Sequence, residues 1–140
     1  MLDYRTYVEH GSMYNTPPVF AIYVLMLVTR WLRKEVGGLE PQLAVNREKA
    51  ALLYGAIDES DGFHRGHARP GSRSMMNVTF HLSDEDLERR FIADAASRGL
   101  AELRGHRSLG GIRASLYNAM PLEGARALAD FMRTFQESAH

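Results

Sequence analysis

The sequence predicts a small α+β domain: a short, mainly antiparallel sheet covered by helices, with a long helix leading in from the N-terminal side. Three observations predict this class. Apolar and polar residues alternate along 75–82 and 112–117, as in half-buried strands. Apolar residues recur at helical spacing along 41–57, 87–95 and 122–135. With 140 residues, 45% of them hydrophobic, the chain can bury one core.

The N-terminal part is expected to hold an extended arm and one helix. Residues 1–10 show no clear periodicity, and a turn-rich loop follows them. Thr16 can cap a helix whose first position is Pro17, and Gly37 with Gly38 would end that helix after Val36. The stretch 17–28 is uncharged but shorter than the ~20 residues a membrane span needs. We therefore expect a helix that protein covers on most sides.

The second predicted helix covers Pro41–Ile57. Its apolar stripe is expected to contain Leu39, Leu43, Ala50, Leu53, Tyr54 and Ile57. The two lysines of the chain, Lys34 and Lys49, lie on predicted helices and are expected to be exposed. The glycine-containing segment 59–74 is expected to be a solvated loop or a poorly ordered hairpin.

The remaining elements alternate between strands and helices. After the strand at 75–82, Ser83 is predicted to cap a helix that ends at Gly99. A short strand, Leu100–Arg104, then leads into a glycine-rich loop, Gly105–Gly111. Pro121 opens the last helix.

Composition excludes several classes of function. Lys and Arg number 17, as do Asp and Glu, so the net charge is zero and predicts no nucleic-acid or anionic-membrane partner. The absence of cysteine excludes a disulfide scaffold, a thiolate zinc site and a Cys nucleophile. Residues 1–10 contain no apolar leader segment, and a cytoplasmic location is compatible with these features.

Two segments have the chemistry of anion sites. Asn15 and Thr16 place an amide and a hydroxyl beside a predicted helix N-terminus, where a phosphate could bind. A plain N-cap is the alternative that these residues alone favour, since caps are far more common than anion sites. His106, Arg107 and Arg113 offer a titratable donor and two forked guanidinium groups. The alternative for this second segment is a basic surface loop of solvated arginines.

Other constellations are weaker. His64, His67 and His81 could approach a metal, but no acidic or thiol partner is spaced to complete a shell, so we predict no metal site. No serine lies in a nucleophile elbow, and no dinucleotide or nucleoside triphosphate glycine pattern is present.

Four segments in order carry a resemblance to a known family: GSMYNTPP at 11–18, NREKAALLY at 46–54, MNVTF at 76–80 and GHRSLGGIRASLYNAMPLEG at 105–124. The chain resembles, over essentially all its length, the C-terminal part of the phosphoserine aminotransferases, which are class V, fold-type I enzymes that use pyridoxal phosphate. These enzymes are homodimers that transfer an amino group between glutamate and 3-phosphohydroxypyruvate in serine biosynthesis.

The resemblance implies roles for five residues. Asn15 and Thr16 match the pair that reaches the cofactor phosphate of the partner subunit. His106 and Arg107 match the residues that hold the phosphate of the substrate, and Arg113 matches the arginine that binds its α-carboxylate. The implied division is an arm and cofactor-phosphate loop at 1–16, a connecting helix at 17–38 and the small C-terminal domain at 39–140.

The resemblance also implies what this chain does not supply. The family's lysine that forms the internal aldimine belongs to the large domain, and neither Lys34 nor Lys49 lies in its motif. We therefore predict no catalytic residue here and no transamination by the chain alone, with weak or absent cofactor binding. The alternatives are a non-catalytic module that binds phosphate and carboxylate groups, and a self-associating unit that uses the apolar residues 19–28.

Overall fold

The computed structural model describes residues 3–139. Contacts between residues divide the chain into two compact units, and the boundary follows Leu39. No helix within the described residues is long and apolar enough to cross a membrane.

The first unit contains two helices, α1 (Tyr4–Glu9) and α2 (Val19–Lys34). The prediction of an extended arm was wrong over α1, where the Asp3 carboxylate accepts a hydrogen bond from the Arg5 N–H and caps the helix. The start of α2 was predicted two residues too early. Pro18 occupies its N-cap and no side chain caps it, so Thr16 does not have the predicted capping role.

Helix α2 ends at Lys34, two residues before the predicted end at Val36, and its surface is apolar. Gly37 and Gly38 take φ values of 89° and 117°, and the Gly38 N–H donates to the Leu32 carbonyl at 2.8 Å. Most of the helix surface carries large hydrophobic side chains that are at least 37% exposed: Val19, Phe20, Ile22, Tyr23, Val24, Leu25, Met26, Leu27, Val28 and Trp31. Such a surface on a folded protein marks a contact face.

The second unit is a four-stranded antiparallel sheet with three helices. The helices are α3 (Leu39–Asp58), α4 (Glu85–Ser97) and α5 (Leu122–Ser138). The strands are β1 (Arg65–Gly66), β2 (Asn77–His81), β3 (Arg104–His106) and β4 (Gly110–Ser115), in the order β1-β2-β4-β3. All three neighbouring pairs are antiparallel, so the predicted α+β class is confirmed.

One face of the sheet forms the core. Val78 and Phe80 of β2 pair with Ala114 and Ile112 of β4, and all four side chains are buried. They form one cluster with buried side chains of α3, α4 and α5, among them Leu53, Phe91, Ala95, Leu128, Met132 and Phe135. The opposite face carries polar, half-buried residues at the alternate positions, including Thr79 and Arg113.

Three boundaries of the second unit differ from the prediction. Asp84, not Ser83, caps α4, because its carboxylate accepts from the Leu87 N–H at 2.8 Å. The strand predicted at Leu100–Arg104 lies at Arg104–His106 instead. His106 is therefore a strand residue, and the connection that was predicted over 105–111 is a tight turn at 107–109.

Two polar residues expected at the surface are buried. Lys49 is 0% exposed, and its ammonium donates to the carbonyl oxygens of Leu116, Tyr117 and Met120 at 3.3, 2.9 and 3.0 Å. The segment 59–74 is also not a wholly solvated loop, since His64 is 2% exposed and packs edge-on against Phe80 and Phe91. Long-range contacts, which local spacing does not encode, produce both differences.

Candidate functional site

The β3–β4 hairpin depends on three glycines. A Cβ on Gly105 would meet the Gly110 carbonyl oxygen, and Gly111 has a φ of 71°. His106 pairs with Gly110, and the Leu109 N–H donates to the His106 carbonyl at 3.1 Å. The glycines were predicted to let the backbone approach a ligand, but at Gly105 the close approach is between the two strands themselves.

His106 presents one ring nitrogen for a ligand. Its Nδ1 accepts from the Ser108 N–H at 3.3 Å and lies 2.7 Å from the Ser108 hydroxyl. A backbone N–H can only donate, so the neutral ring carries its proton on Nε2. His106 is exposed, and Nε2–H is therefore available to donate to an anion.

Arg113 has an unsatisfied donor at a half-buried position. It lies on β4 directly opposite Thr79 of β2, and its backbone N–H donates to the Leu103 carbonyl at 2.8 Å. Its Nε is buried and has no hydrogen-bond partner among residues 3–139. Buried polar groups in folded proteins are almost always paired, so this donor is an exception, which the Nε of Arg73 shares within the described residues.

His106 and Arg113 meet in a small cleft of about 80 Å³ on the sheet. Thr79 and two further histidines, His67 and His81, also line it. No Asp or Glu is among the described residues that line this cleft. A cavity with imidazole, guanidinium and hydroxyl groups and no carboxylate suits an anion.

Arg107 is placed beside this cleft and not in its wall. It lies in the exposed turn between β3 and β4, and its guanidinium has no hydrogen-bond partner among the described residues. The turn also contains Ser108 and Leu109, of which Leu109 lines the cleft. The structure thus brings His106 and Arg113 together and leaves Arg107 one residue away, free in solvent.

Asn15 and Thr16 belong to the first unit, in the loop between α1 and α2. Both are exposed, and neither side chain is hydrogen-bonded to another described residue. Because Thr16 does not cap α2, its hydroxyl and the Asn15 amide remain available. A side-chain amide and a hydroxyl can both donate hydrogen bonds to a phosphate such as that of pyridoxal phosphate.

The three histidines considered for a metal are separated. The rings of His67 and His81 lie 6.5 Å apart, whereas His64 is in the core and neither of its ring nitrogens is hydrogen-bonded to another described residue. Within residues 3–139 no group of three or more His, Cys, Asp or Glu could hold a metal ion. Burial among aromatic rings lowers the pKa of His64 to about 4.

Sequence reasoning missed His81 with its partner Glu88, and it missed the buried Lys49. His81 was considered only as a metal ligand, yet its Nδ1 lies 3.1 Å from Glu88 Oε1. For Lys49 a signal was present. Gln42, Asn46, Lys49 and Leu53 recur at spacings of four, three and four, which places Lys49 on the stripe that Leu53 shares.

A family model described as "Aminotransferase class-V" matches residues 1–128. The chain is 56% identical over 138 residues to a phosphoserine aminotransferase of Desulfosudis oleivorans, covering 99% of this chain and 38% of that protein. Against the Geobacillus kaustophilus protein of the same name it is 57% identical over 136 residues, covering 97% and 38%.

Solved structures of similar proteins share the fold. Phosphoserine aminotransferase from Bacillus circulans subsp. alkalophilus superposes with a TM-score of 0.89 at 50% identity, covering 98% of this chain and 38% of that one. The pyridoxal-phosphate-bound phosphoserine aminotransferase of Trichomonas vaginalis gives 0.82 at 41% identity, covering 94% and 37%. The chain spans less than two fifths of the length of the relatives it matches.

Proposed function

The chain belongs to the class V aminotransferase family, and from that membership we propose that it is the C-terminal portion of a phosphoserine aminotransferase. The full enzyme would move an amino group between glutamate and 3-phosphohydroxypyruvate, with pyridoxal phosphate as cofactor. The proposal includes a homodimer that works in the cytoplasm, as the resemblance implies. The exposed apolar surface of α2 supports a contact with further protein.

The placement of Arg113 and His106 on one cleft carries the proposal. The terminal nitrogens of the Arg113 guanidinium could bind a planar carboxylate through two parallel hydrogen bonds. The substrate has one carboxylate and one phosphate, and the site offers a separate cationic or donor group for each. Arg113 would bind the carboxylate, while His106 and Arg107 would bind the phosphate.

Two fixed ends would orient the substrate. With both ends of the substrate held, the bond that must break has one fixed orientation. The orientational entropy of the substrate is then lost when it binds and does not add to the barrier of the reaction. The Nε2–H of His106 is preset as a donor by the Ser108 N–H. Arg107 is free to close on the phosphate, because it has no hydrogen bond within residues 3–139.

Asn15 and Thr16 would hold the cofactor phosphate. Both side chains are exposed donors without partners in the described chain. Pyridoxal phosphate supplies an electron sink for the bond cleavage when it is bound. This chain's part is to bind the phosphate group of the cofactor and both ends of the substrate.

We expect the isolated chain not to transaminate, because neither of its lysines suits the cofactor. The ammonium of Lys49 is engaged by three carbonyl oxygens and is fully buried. Lys34 is exposed in the last turn of α2. The resemblance assigns the cofactor-bearing lysine to the large domain of such enzymes.

The test has two parts. Titration of the ¹⁵N-labelled chain with O-phospho-L-serine should shift the NMR signals of His106, Arg107 and Arg113, and Arg113→Gln should weaken the binding. Incubation with pyridoxal phosphate, borohydride reduction and mass spectrometry should give no stoichiometric adduct. Clean labelling of Lys34 or Lys49 would contradict the predicted inactivity, and unchanged NMR signals would contradict the assigned binding roles.

A non-catalytic module that binds phosphorylated small molecules is the second candidate. The small cleft favours this candidate, because hydrogen-bond donors line the cleft and no lysine is among its described lining residues. Binding of O-phospho-L-serine without any response to pyridoxal phosphate at Asn15 and Thr16 would favour this module. A response of both residues would favour the enzyme portion.

A further inference from the structure

His81 lies on β2 where the strand meets α4, and a carboxylate holds its ring. Its Nδ1 is 3.1 Å from Glu88 Oε1, and the Glu88 side chain is only 13% exposed. The same carboxylate oxygen accepts from the Leu82 N–H at 3.2 Å, so Glu88 is itself fixed to the backbone. A carboxylate can only accept here, which assigns the Nδ1 proton to His81.

The ring of His81 fills the space that a glycine leaves beside the hairpin. A Cβ on Gly111 would lie 2.7 Å from His81 Cε1 and 2.8 Å from Nδ1. The ring is thus packed against the backbone of Gly111, two residues before Arg113 on the same strand. Its side chain is nevertheless 41% exposed, so a ligand can reach it.

The charges around His81 differ between its two sides. It lines the small cleft together with His67, His106 and Arg113, where no carboxylate is present among the described lining residues. It also lines a larger cleft of about 530 Å³, whose wall includes the carboxylates of Asp84, Glu85 and Glu88 and the guanidinium groups of Arg89 and Arg104. Of these groups Glu88 contacts the ring, so His81 has a carboxylate on the side of α4 and donor groups on the side of the hairpin.

We propose that His81, held by Glu88, is a further anion-binding residue of the small cleft, where the ring with both nitrogens protonated donates from Nε2 to the phosphate of a phosphorylated amino or keto acid beside His106. The imidazolium form has two N–H donors. Nδ1–H is bonded to Glu88, and Nε2–H is left for the ligand. This inference rests on the proposed function, because it adds one group to the same phosphate site.

The direct test is NMR of the imidazole ¹⁵N nuclei in the full chain, titrated with inorganic phosphate and with O-phospho-L-serine. The His81 ring signals, assigned by their loss in His81→Ala, should shift with both ligands. His81→Ala should weaken binding of O-phospho-L-serine about tenfold, and Glu88→Gln should weaken it about threefold. His10→Ala, which removes an exposed histidine from the first unit, should leave the affinity unchanged.

Separate outcomes decide the two claims. If Arg113→Gln weakens binding while His81→Ala binds as the unmodified chain does and the His81 signals do not shift, this inference is overturned and the proposed function stands. If the unmodified chain does not bind O-phospho-L-serine, both are overturned. Circular dichroism checks each variant for folding. Should His81→Ala unfold, His81→Gln retains a donor to Glu88, and full affinity of that folded variant overturns the inference.

Discussion

The ammonium of Lys49 donates a hydrogen bond of 2.9 Å to the backbone carbonyl of Tyr117, 68 residues along the chain. Two further carbonyls, of Leu116 and Met120, accept from the same group. Asn46 extends the contact, since its amide donates to Asn118 Oδ1 at 2.9 Å. The polar side of α3 thus holds the segment 116–120, which follows the strand that carries Arg113.

Replacement of Lys49 by methionine should lower the free energy of unfolding by about 3 kcal/mol, because one buried and two part-buried carbonyl oxygens lose their donor while the volume is kept. Urea unfolding followed by circular dichroism measures the change. Lys34→Met is the matched control, since Lys34 is exposed at the end of α2. That control should change stability by less than about 0.5 kcal/mol. Equal effects of the two substitutions would contradict the structural role of Lys49.

Burial lowers the pKa of the Lys49 ammonium, in keeping with a cation that no carboxylate of the described residues neutralises. A buried lysine on a helix is the kind of feature that sequence periodicity misassigns. The charge of Lys49 predicted an exposed side chain. Its burial is tolerated because the ammonium donates to carbonyl groups 67 to 71 residues further along the chain, which the local sequence does not show.

Elements with a strong local period were predictable. The stripe Ala125, Leu128, Ala129, Met132 and Phe135 is buried in α5, as its spacing indicates. The alternation Ile112, Ala114, Leu116 likewise faces the core. The short elements were not predictable, since α1 spans six residues and depends on one cap by Asp3. For strand β3, pairing with β4 decided the bounds.

The candidate site was predictable in residues but not in arrangement. His106 and Arg113 were predicted from residue type and resemblance, and the structure adds that both line one cleft. The sequence could not assign Glu88 to this site, because the distance between Glu88 and His81 depends on how α4 packs beside β2. The roles in binding remain predictions.

Gly105→Ala should disrupt the β3–β4 hairpin. The new Cβ would overlap the Gly110 carbonyl oxygen and lie 2.7 Å from that of Gly111, and both are backbone atoms that cannot rotate away. We expect a loss of stability of about 3 kcal/mol, at the upper end of overpacking effects, together with lost binding of O-phospho-L-serine.

Urea unfolding and NMR spectra of the hairpin amides measure the effect of Gly105→Ala. Gly71→Ala is its control, because a Cβ there meets nothing within 4 Å. A Gly105→Ala variant with the spectrum and stability of the Gly71→Ala variant would show that the hairpin is paired differently.

Arg113 and Arg107 should be separable by ligand. O-Phosphoethanolamine carries a phosphate but no carboxylate, whereas O-phospho-L-serine carries both. Arg113→Gln should weaken the serine compound about tenfold and leave the ethanolamine compound unaffected. Arg107→Ala should weaken both by similar factors. Calorimetric or NMR titrations measure all four affinities, and an Arg113→Gln variant that loses both ligands equally would contradict a carboxylate role.

The buried His64 should make stability fall in acid. Its pKa is about 4 in the folded chain against 6.5 for the free side chain, so the unfolded chain binds more protons between these values. Above pH 6.5 the group is neutral in both states and contributes no slope. As the pH falls from 6.5 to about 4 the loss grows to roughly 3 kcal/mol, and it levels off below.

Replacement of His64 by phenylalanine removes this acid-dependent loss of stability. The new ring can pack against the aromatic rings of Phe63, Phe80 and Phe91, which contact His64. Urea unfolding at intervals from pH 8 to pH 4 should show the two proteins diverging below pH 6.5, with His64→Phe the more stable in acid. Carboxylates such as Asp58, whose pKa the Arg73 guanidinium lowers, titrate in both proteins. The difference in stability between the two proteins therefore reports on His64 alone.

His10→Phe is the control at an exposed position, and its stability should follow that of the unmodified chain at every pH. Parallel curves for His64→Phe and the unmodified chain would mean that the imidazole is already protonated, or solvated, in the folded state.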